Sequence, residues 1–213
     1  MPQRVLGIDL GAHTVKVAEL ELGFRSARLV HLRSFGVPQG PEPALSRSLT
    51  ALEDAQEMVR NVDLVTVGMP GDRYLLRHFE IPFTDQKKVA AVVGNELADD
   101  IPWEFDDVVY DHASLPAPSR WVLAVAARSA EVRNLLEALS ERGVDPRVLP
   151  PAGVSYHGLL RRAGVQEPVL VMDIGHLRTN ICLVQQGRAV LGRSISRGGH
   201  QVTEAFRQAF QLG

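Results

Sequence analysis

An apolar run of strand length, starting at Arg4-Val-Leu-Gly-Ile, enters Asp9-Leu-Gly11, and a second run follows after a few residues and ends at Gly23. The same phrase returns late in the chain: Pro168-Val-Leu-Val-Met enters Asp173-Ile-Gly175, and a second run ends at Gly187. Each copy predicts a β-hairpin with a polar tip. Residues 4–36 read as three strands in a meander, with turns near Gly11 and near Gly23 to Ser26. Leu45, Leu49, Leu52 and Met58 fall at helical spacing and predict a helix over residues 43–61. A short buried strand follows over residues 63–70, closed by Pro70-Gly71 with Asp72 at its exit.

From Asp72 to Ala117 the pattern changes to strand (74–81), helix (85–99) and strand (106–114). A strand over 119–127, a helix over 130–142 stopped by Gly143 and a strand over 145–149 complete a unit expected to be inserted in the first lobe. A helix over 151–163 returns to that lobe, and Pro168 opens the second. The expected division is therefore 1–71 with 151–167 as the first lobe, 72–150 as the insertion and 168–213 as the beginning of a second lobe. A repeat separated by more than a hundred residues is not the short period of a solenoid, and points to two related lobes.

The chemistry of the paired tips suits an anion. Glycine lets backbone come close, successive backbone N–H groups can converge on phosphate, and an aspartate can hold hydrated Mg²⁺. Asp-x-Gly alone also marks ordinary turns. The candidate nucleotide-binding set is Asp9, Gly11, Ala12, His13, Thr14 and Lys16 at the first tip, with Asp173, Gly175 and Thr179 at the second; Asp9 and Asp173 are the candidate Mg²⁺ ligands. The second tip carries the bulky His176, Leu177 and Arg178 where phosphate loops use small residues, although Arg178 could pair with phosphate bidentately. Asp72 is the candidate for positioning an attacking water, against a plain turn role after Pro70-Gly71.

Composition narrows the alternatives. The chain has 213 residues, 45% hydrophobic and 23% charged, with a net charge of −2. These values are those of a globular protein and give no electrostatic reason to expect nucleic acid. The single cysteine, Cys182, sits in an apolar strand pattern and reads as a buried structural thiol, consistent with a reducing cytoplasm. Seven histidines without a closely spaced pair give no metal signature, and Ser155 and Ser194 lack a Gly-x-Ser-x-Gly elbow. No continuous apolar stretch reaches membrane-span length, and Asp9 interrupts the N-terminal run, so no signal peptide is expected. Ile101, Trp103 and Phe105 lie among Asp99, Asp100, Glu104, Asp106, Asp107 and Asp111. Apolar anchors inside a charged rim are an interface composition, so Trp103, Asp106 and Asp107 are the candidate partner-binding residues, unless Trp103 and Phe105 only close a core.

The paired motifs, Asp9-Leu-Gly-Ala-His-Thr and Asp173-Ile-Gly-His-Leu-Arg-Thr, resemble the phosphate loops of the actin-like ATPase superfamily, an α/β, ribonuclease H-like fold. Residues 1–22, the segments Leu76-Arg-His-Phe-Glu-Ile-Pro-Phe-Thr-Asp and Asn95-Glu-Leu-Ala-Asp-Asp-Ile-Pro-Trp, and Gly187 to Phe206 resemble the PilM proteins of type IV pilus machines and the cytoplasmic domain of GspL in type II secretion. The Ile-Pro-Phe-Thr-Asp segment tilts the resemblance toward GspL. It implies a PilM/FtsA-type inserted subdomain and a scaffold at the cytoplasmic face of the inner membrane. Its partners would be the motor ATPase and inner-membrane platform proteins, or for PilM the short cytoplasmic tail of PilN. It also implies membrane association through segments outside this chain, and it is compatible with a homodimer. No cofactor is required for that role; ATP and Mg²⁺ belong to the complete fold. Since such a second lobe normally continues through the adenosine-contacting region, the chain is expected to be an excised fragment. The alternative is an active actin-like ATPase or kinase that clamps ATP between the two hairpins.

Overall fold

A computed structural model describes residues 2–115 and 119–211. The expected change of pattern that runs to Ala117 therefore ends partly outside the described residues. The first hairpin is β1 (Gln3–Leu10) and β2 (Thr14–Leu22), extended by β3 (Ala27–Gly36). After α1 (Ala44–Leu52), a single 3₁₀ turn and α2 (Gln56–Val59), strand β4 (Leu64–Gly68) pairs in parallel with β1, and the sheet order is β3-β2-β1-β4. Alternation decides its buried face: Leu6, Ile8 and Leu10 of β1, Val15 and Val17 of β2, and Val65 and Val67 of β4 all point into one core, where α1 adds Leu49 and Leu52. The expected single helix over 43–61 is thus broken. Ala55, buried at 1% exposure, takes φ −99° and ψ 2°, outside helical values, and the chain tightens into the 3₁₀ turn to seat it.

A second, three-stranded antiparallel sheet follows. It comprises β5 (Leu75–Glu80), β6 (Val108–Ser114) and β7 (Trp121–Arg128) in the order β5-β7-β6, so β6 lies at an edge. Helix α3 (Gln86–Ala98) crosses it. Asp85 caps this helix by accepting a 3.0 Å bond from the Lys88 amide, and Val89, Val93 and Leu97, four residues apart, bury their shared face on Val122, Ala124 and Ala126.

The next helix is α4 (Ser129–Ser140). Its Leu135 and Leu139, with Val144 beyond it, pack into the core of the first sheet. The chain then runs beside β4: Arg147 N donates to Val65 O at 2.9 Å, Val67 N to Val148 O at 3.2 Å, and Thr66 and Val148 form a parallel bridge. We propose Arg128, in place of the expected Pro150, as the point of return from the insertion. The strand expected over 145–149 shrinks to this bridge because Pro146, Pro150 and Pro151 have no amide hydrogen to give a ladder. The helix expected over 151–163 divides into a 3₁₀ turn and α5 (Tyr156–Arg162), and the Gly153 amide, free at such a helix start, donates to the buried Tyr74 Oη at 3.0 Å.

The second hairpin, β8 (Val169–Ile174) and β9 (Thr179–Gln185), is extended by β10 (Arg188–Ile195) and followed by α6 (Gly199–Phe210). Cys182 and Val184 pack with Val154, Leu76 and Leu123, which seats this sheet on both earlier units. Burial pushes the Cys182 thiol up to about 11, as expected of a structural cysteine.

Candidate functional site

The two Asp-x-Gly tips face each other across a cavity of about 400 Å³. Asp9, Gly11, Ala12, His13, Thr14 and Lys16 line it from the first hairpin, and Asp173, Gly175, His176 and Arg178 from the second. The fold therefore gathers almost the whole candidate set in one place. Thr179 departs from it. Its hydroxyl donates to Arg197 O at 2.8 Å, which ties β9 to the end of the third strand of its own lobe.

Local geometry explains the first tip. An added Cβ on Gly11 would lie 2.4 Å from Thr14 O, so this tight turn admits only glycine without rearrangement. Asp9 and Lys16 are register partners in β1 and β2, and Lys16 Nζ reaches Asp9 Oδ2 at 3.2 Å. The lysine expected to supply charge to phosphate thus lies against the aspartate expected to hold Mg²⁺.

The second tip is occupied by the protein itself. Gly175 N donates to Arg178 O at 2.8 Å, closing the turn; Gly199 N donates to Gly175 O at 2.8 Å and His200 N to His176 O at 2.9 Å. The Gly198 amide is taken by Gln201 Oε1 at 2.8 Å. A helix start that would otherwise present free N–H groups to an anion gives three of them to its own chain. Tyr156 Oη donates to Asp173 Oδ2 at 2.5 Å. Burial first, then the bond and charge of Asp173, raise the Tyr156 phenol well above its ordinary range. Arg178 is committed to Asp72 of the turn after β4, which it contacts as an ion pair. That contact removes both the free guanidinium foreseen for phosphate and the free carboxylate foreseen for water.

Two more residues line the cleft along with Leu10, Pro70, Ala152, Ile174 and Leu177. Asn180 lines it and Gly71 forms part of its wall; a Cβ on Gly71 would meet Ser194 Oγ at 2.0 Å. Buried polar atoms without partners, Asn180 Oδ1 and Ser194 Oγ, therefore sit side by side at this crossing between lobes. Asn180 was legible only as the neighbour of Thr179, and Tyr156 carried no motif at all. The fit to Mg²⁺ and ATP is consequently one-sided. The first tip is a tight glycine turn beside Asp9, while the second is filled by its own side chains and has its amides in use.

The acidic segment of the second sheet lies elsewhere. Trp103 is half-buried and packs with Ile101 and Val108 against the α3 core. Asp106 and Asp107 are exposed in a 3₁₀ turn that leads into the edge strand β6. Farther along that strand, Asp111, His112 and Ala113 border an apolar groove of about 150 Å³ with Leu76, Leu123 and Val125.

A family model described as type IV pilus assembly protein PilM matches residues 7–213. Among solved structures, one titled as the PilM–PilN type IV pilus biogenesis complex superimposes with a TM-score of 0.78 and 24% identity, covering 98% of this chain and 66% of that one. The cytoplasmic domain of EpsL, an inner-membrane component of the type II secretion system of Vibrio cholerae, gives 0.61 and 15%, covering 91% and 71%. A Bacteroides thetaiotaomicron protein with an actin-like ATPase fold and unknown function gives 0.51 and 9%, covering 99% and 77%. The chain thus has the expected actin-like α/β fold and spans just under two thirds of the PilM chain. The family model and the higher of the two scores place the weight on PilM, where the Ile-Pro-Phe-Thr-Asp segment had tilted toward GspL.

Proposed function

This chain belongs to the type IV pilus assembly protein PilM family, and we propose that it acts by binding, as a scaffold at the cytoplasmic face of the inner membrane. It links an assembly platform to the motor ATPase. No helix among the described residues is long and apolar enough to cross a membrane, and attachment comes through partners or through segments outside this chain.

The observation that carries the reading is the internal commitment of the cleft. Asp9 lies against Lys16, Asp173 accepts from Tyr156, and Asp72 is paired with Arg178. Turnover of a nucleotide needs free charged groups around phosphate and a group to position water, and each acidic candidate here already has a protein partner. A second reading, nucleotide binding in the complete protein through Asp9 and the Gly11 turn, is favoured by the shape of the first tip; it requires the contacts at the second tip to open.

The partner surface is the acidic turn and edge of β6. An edge strand offers unpaired backbone groups to an extended segment, the groove beside Leu123 and Val125 accepts apolar side chains, and Asp106, Asp107 and Asp111 favour basic ones. The occupant we assign to it is a short cytoplasmic tail of a PilN-type platform protein that carries apolar and basic side chains. The test is calorimetric titration of such a tail peptide into the folded chain. Saturable binding that a polyanion-insensitive control peptide of scrambled sequence does not reproduce is the expected result. Absence of binding at peptide concentrations of about 1 mM, where even a −4 kcal/mol interaction would register, overturns the reading.

A further inference from the structure

Three histidines from three segments meet at the mouth of the cleft. His13 stands at the first tip, His176 at the second and His200 in the first turn of α6. The His176 ring lies 5.0 Å from His13, centroid to centroid and tilted by 36°, and 5.0 Å from His200, tilted by 48°. All three are anchored through backbone: His13 O accepts from Val37 N at 2.9 Å, and His176 O accepts from His200 N at 2.9 Å. Among the described residues no group of three His, Cys, Asp or Glu is arranged to hold a metal ion, and imidazole is the side chain whose charge ordinarily changes between pH 5 and 8.

We propose that His13, His176 and His200 form a proton-sensitive latch between the lobes: neutral, the rings pack the two hairpin tips together, and protonation drives the tips apart. The neighbours explain the sign. Burial and then the charges of His13, His200 and Arg47 of α1 all hold the His176 imidazole below its ordinary value of 6.5. Arg47 donates to two backbone carbonyls, Pro38 O and Glu42 O, which leaves its charge unneutralised. The acids facing the same cavity are engaged elsewhere, Asp9 by Lys16 and Asp173 by Tyr156, while Arg178 is matched by Asp72. The charges that act on His176 are those of His13, His200 and Arg47.

A group whose value is lowered in the closed state contributes stability that is present above its ordinary value and lost as pH falls below it. The closed cleft is therefore favoured above about pH 6.5 and weakens toward pH 5.5, whichever partner the β6 edge takes.

Two measurements on the folded chain decide the matter. Imidazole NMR titration from pH 8 to pH 5 should place His176 below 6.5. Hydrogen exchange, normalised for the intrinsic pH dependence of the rate, should show protection of residues 11–14 and 175–178 falling on the order of tenfold for each unit of proton linkage, and His176→Gln should flatten that response. A His176 titration at or above 6.5, protection that does not change with pH, or a loss that persists in His176→Gln overturns the latch. Should His176→Gln fail to fold, the titration and exchange of the unsubstituted chain are sufficient.

Discussion

Arg178 reaches from the tip of the second hairpin to Asp72 on the turn after β4, and the pair straddles the cleft that the two Asp-x-Gly tips define. The side chains are 24% and 36% exposed, so water screens the attraction and its worth is that of a partly exposed pair, about 1 kcal/mol or less. A double-mutant cycle with Arg178→Ala and Asp72→Ala, read by denaturant unfolding, should give a coupling in that range. Strict additivity of the two substitutions would show that the strap contributes nothing.

The exposed acidic turn tests the partner surface without disturbing the core. Asp106→Lys with Asp107→Lys should leave thermal stability nearly unchanged while slowing association with a basic platform tail, most visibly at low salt, where the Debye length is on the order of 10 Å or more. Unchanged association kinetics in the folded double variant would remove this turn from the interface.

The two tips should bind nucleotide poorly in the closed arrangement. Titrating ATP·Mg²⁺ into the chain should give no saturable binding near or below a Kd of about 1 μM, which corresponds to about −8 kcal/mol. Binding tighter than that would promote the active-ATPase alternative over the scaffold.

Glycine substitutions separate a position that the fold requires from one that it does not. A Cβ at Gly198 would meet Gly175 O at 2.4 Å and His176 O at 2.6 Å, both backbone atoms that cannot rotate away, so Gly198→Ala should cost about 1–3 kcal/mol and loosen the second tip from α6. Gly158 lies in α5 with nothing within 4 Å, and Gly158→Ala should stabilise by up to about 1 kcal/mol through helix propensity. Thermal melts of the two variants that shifted in the same direction would contradict this reading of the packing.

Cys182 provides a pH-dependent check on the core. Its thiol is held up to about 11 by burial, against 9.0 as the ordinary value, so the folded state disfavours the thiolate. This contribution to stability is complete below pH 9 and is lost as pH rises toward 11. At pH 8 a thiol-specific reagent should leave the native chain unmodified and label it rapidly once it is unfolded. Rapid labelling of the native protein would place Cys182 outside the core shared by β9, Val154 and Leu123.

Local physics made much of this protein legible before any coordinates. The strand-length apolar runs around Asp9 and Asp173 produced both hairpins. Their Asp-x-Gly tips brought Asp9, Gly11, Ala12, His13, Thr14, Lys16, Asp173 and Gly175 together as a set, because turns and strand periodicity depend on neighbours a few residues away. What the sequence left open depends on contacts between segments far apart in the chain. Arg178 meets Asp72, 106 positions away, and Tyr156 of α5 meets Asp173 of β8, and neither pairing has a local signature. Leu135 and Leu139 have the same helical spacing whichever sheet they cover; only the tertiary structure places α4 on the first sheet. Trp103 likewise reads as an anchor or as core from its neighbours alone, and only the tertiary structure sets one side of it against the α3 core. The three histidines at positions 13, 176 and 200 show no motif in the chain, since a cluster of rings at 5.0 Å exists only after two lobes and a helix start have been folded against each other.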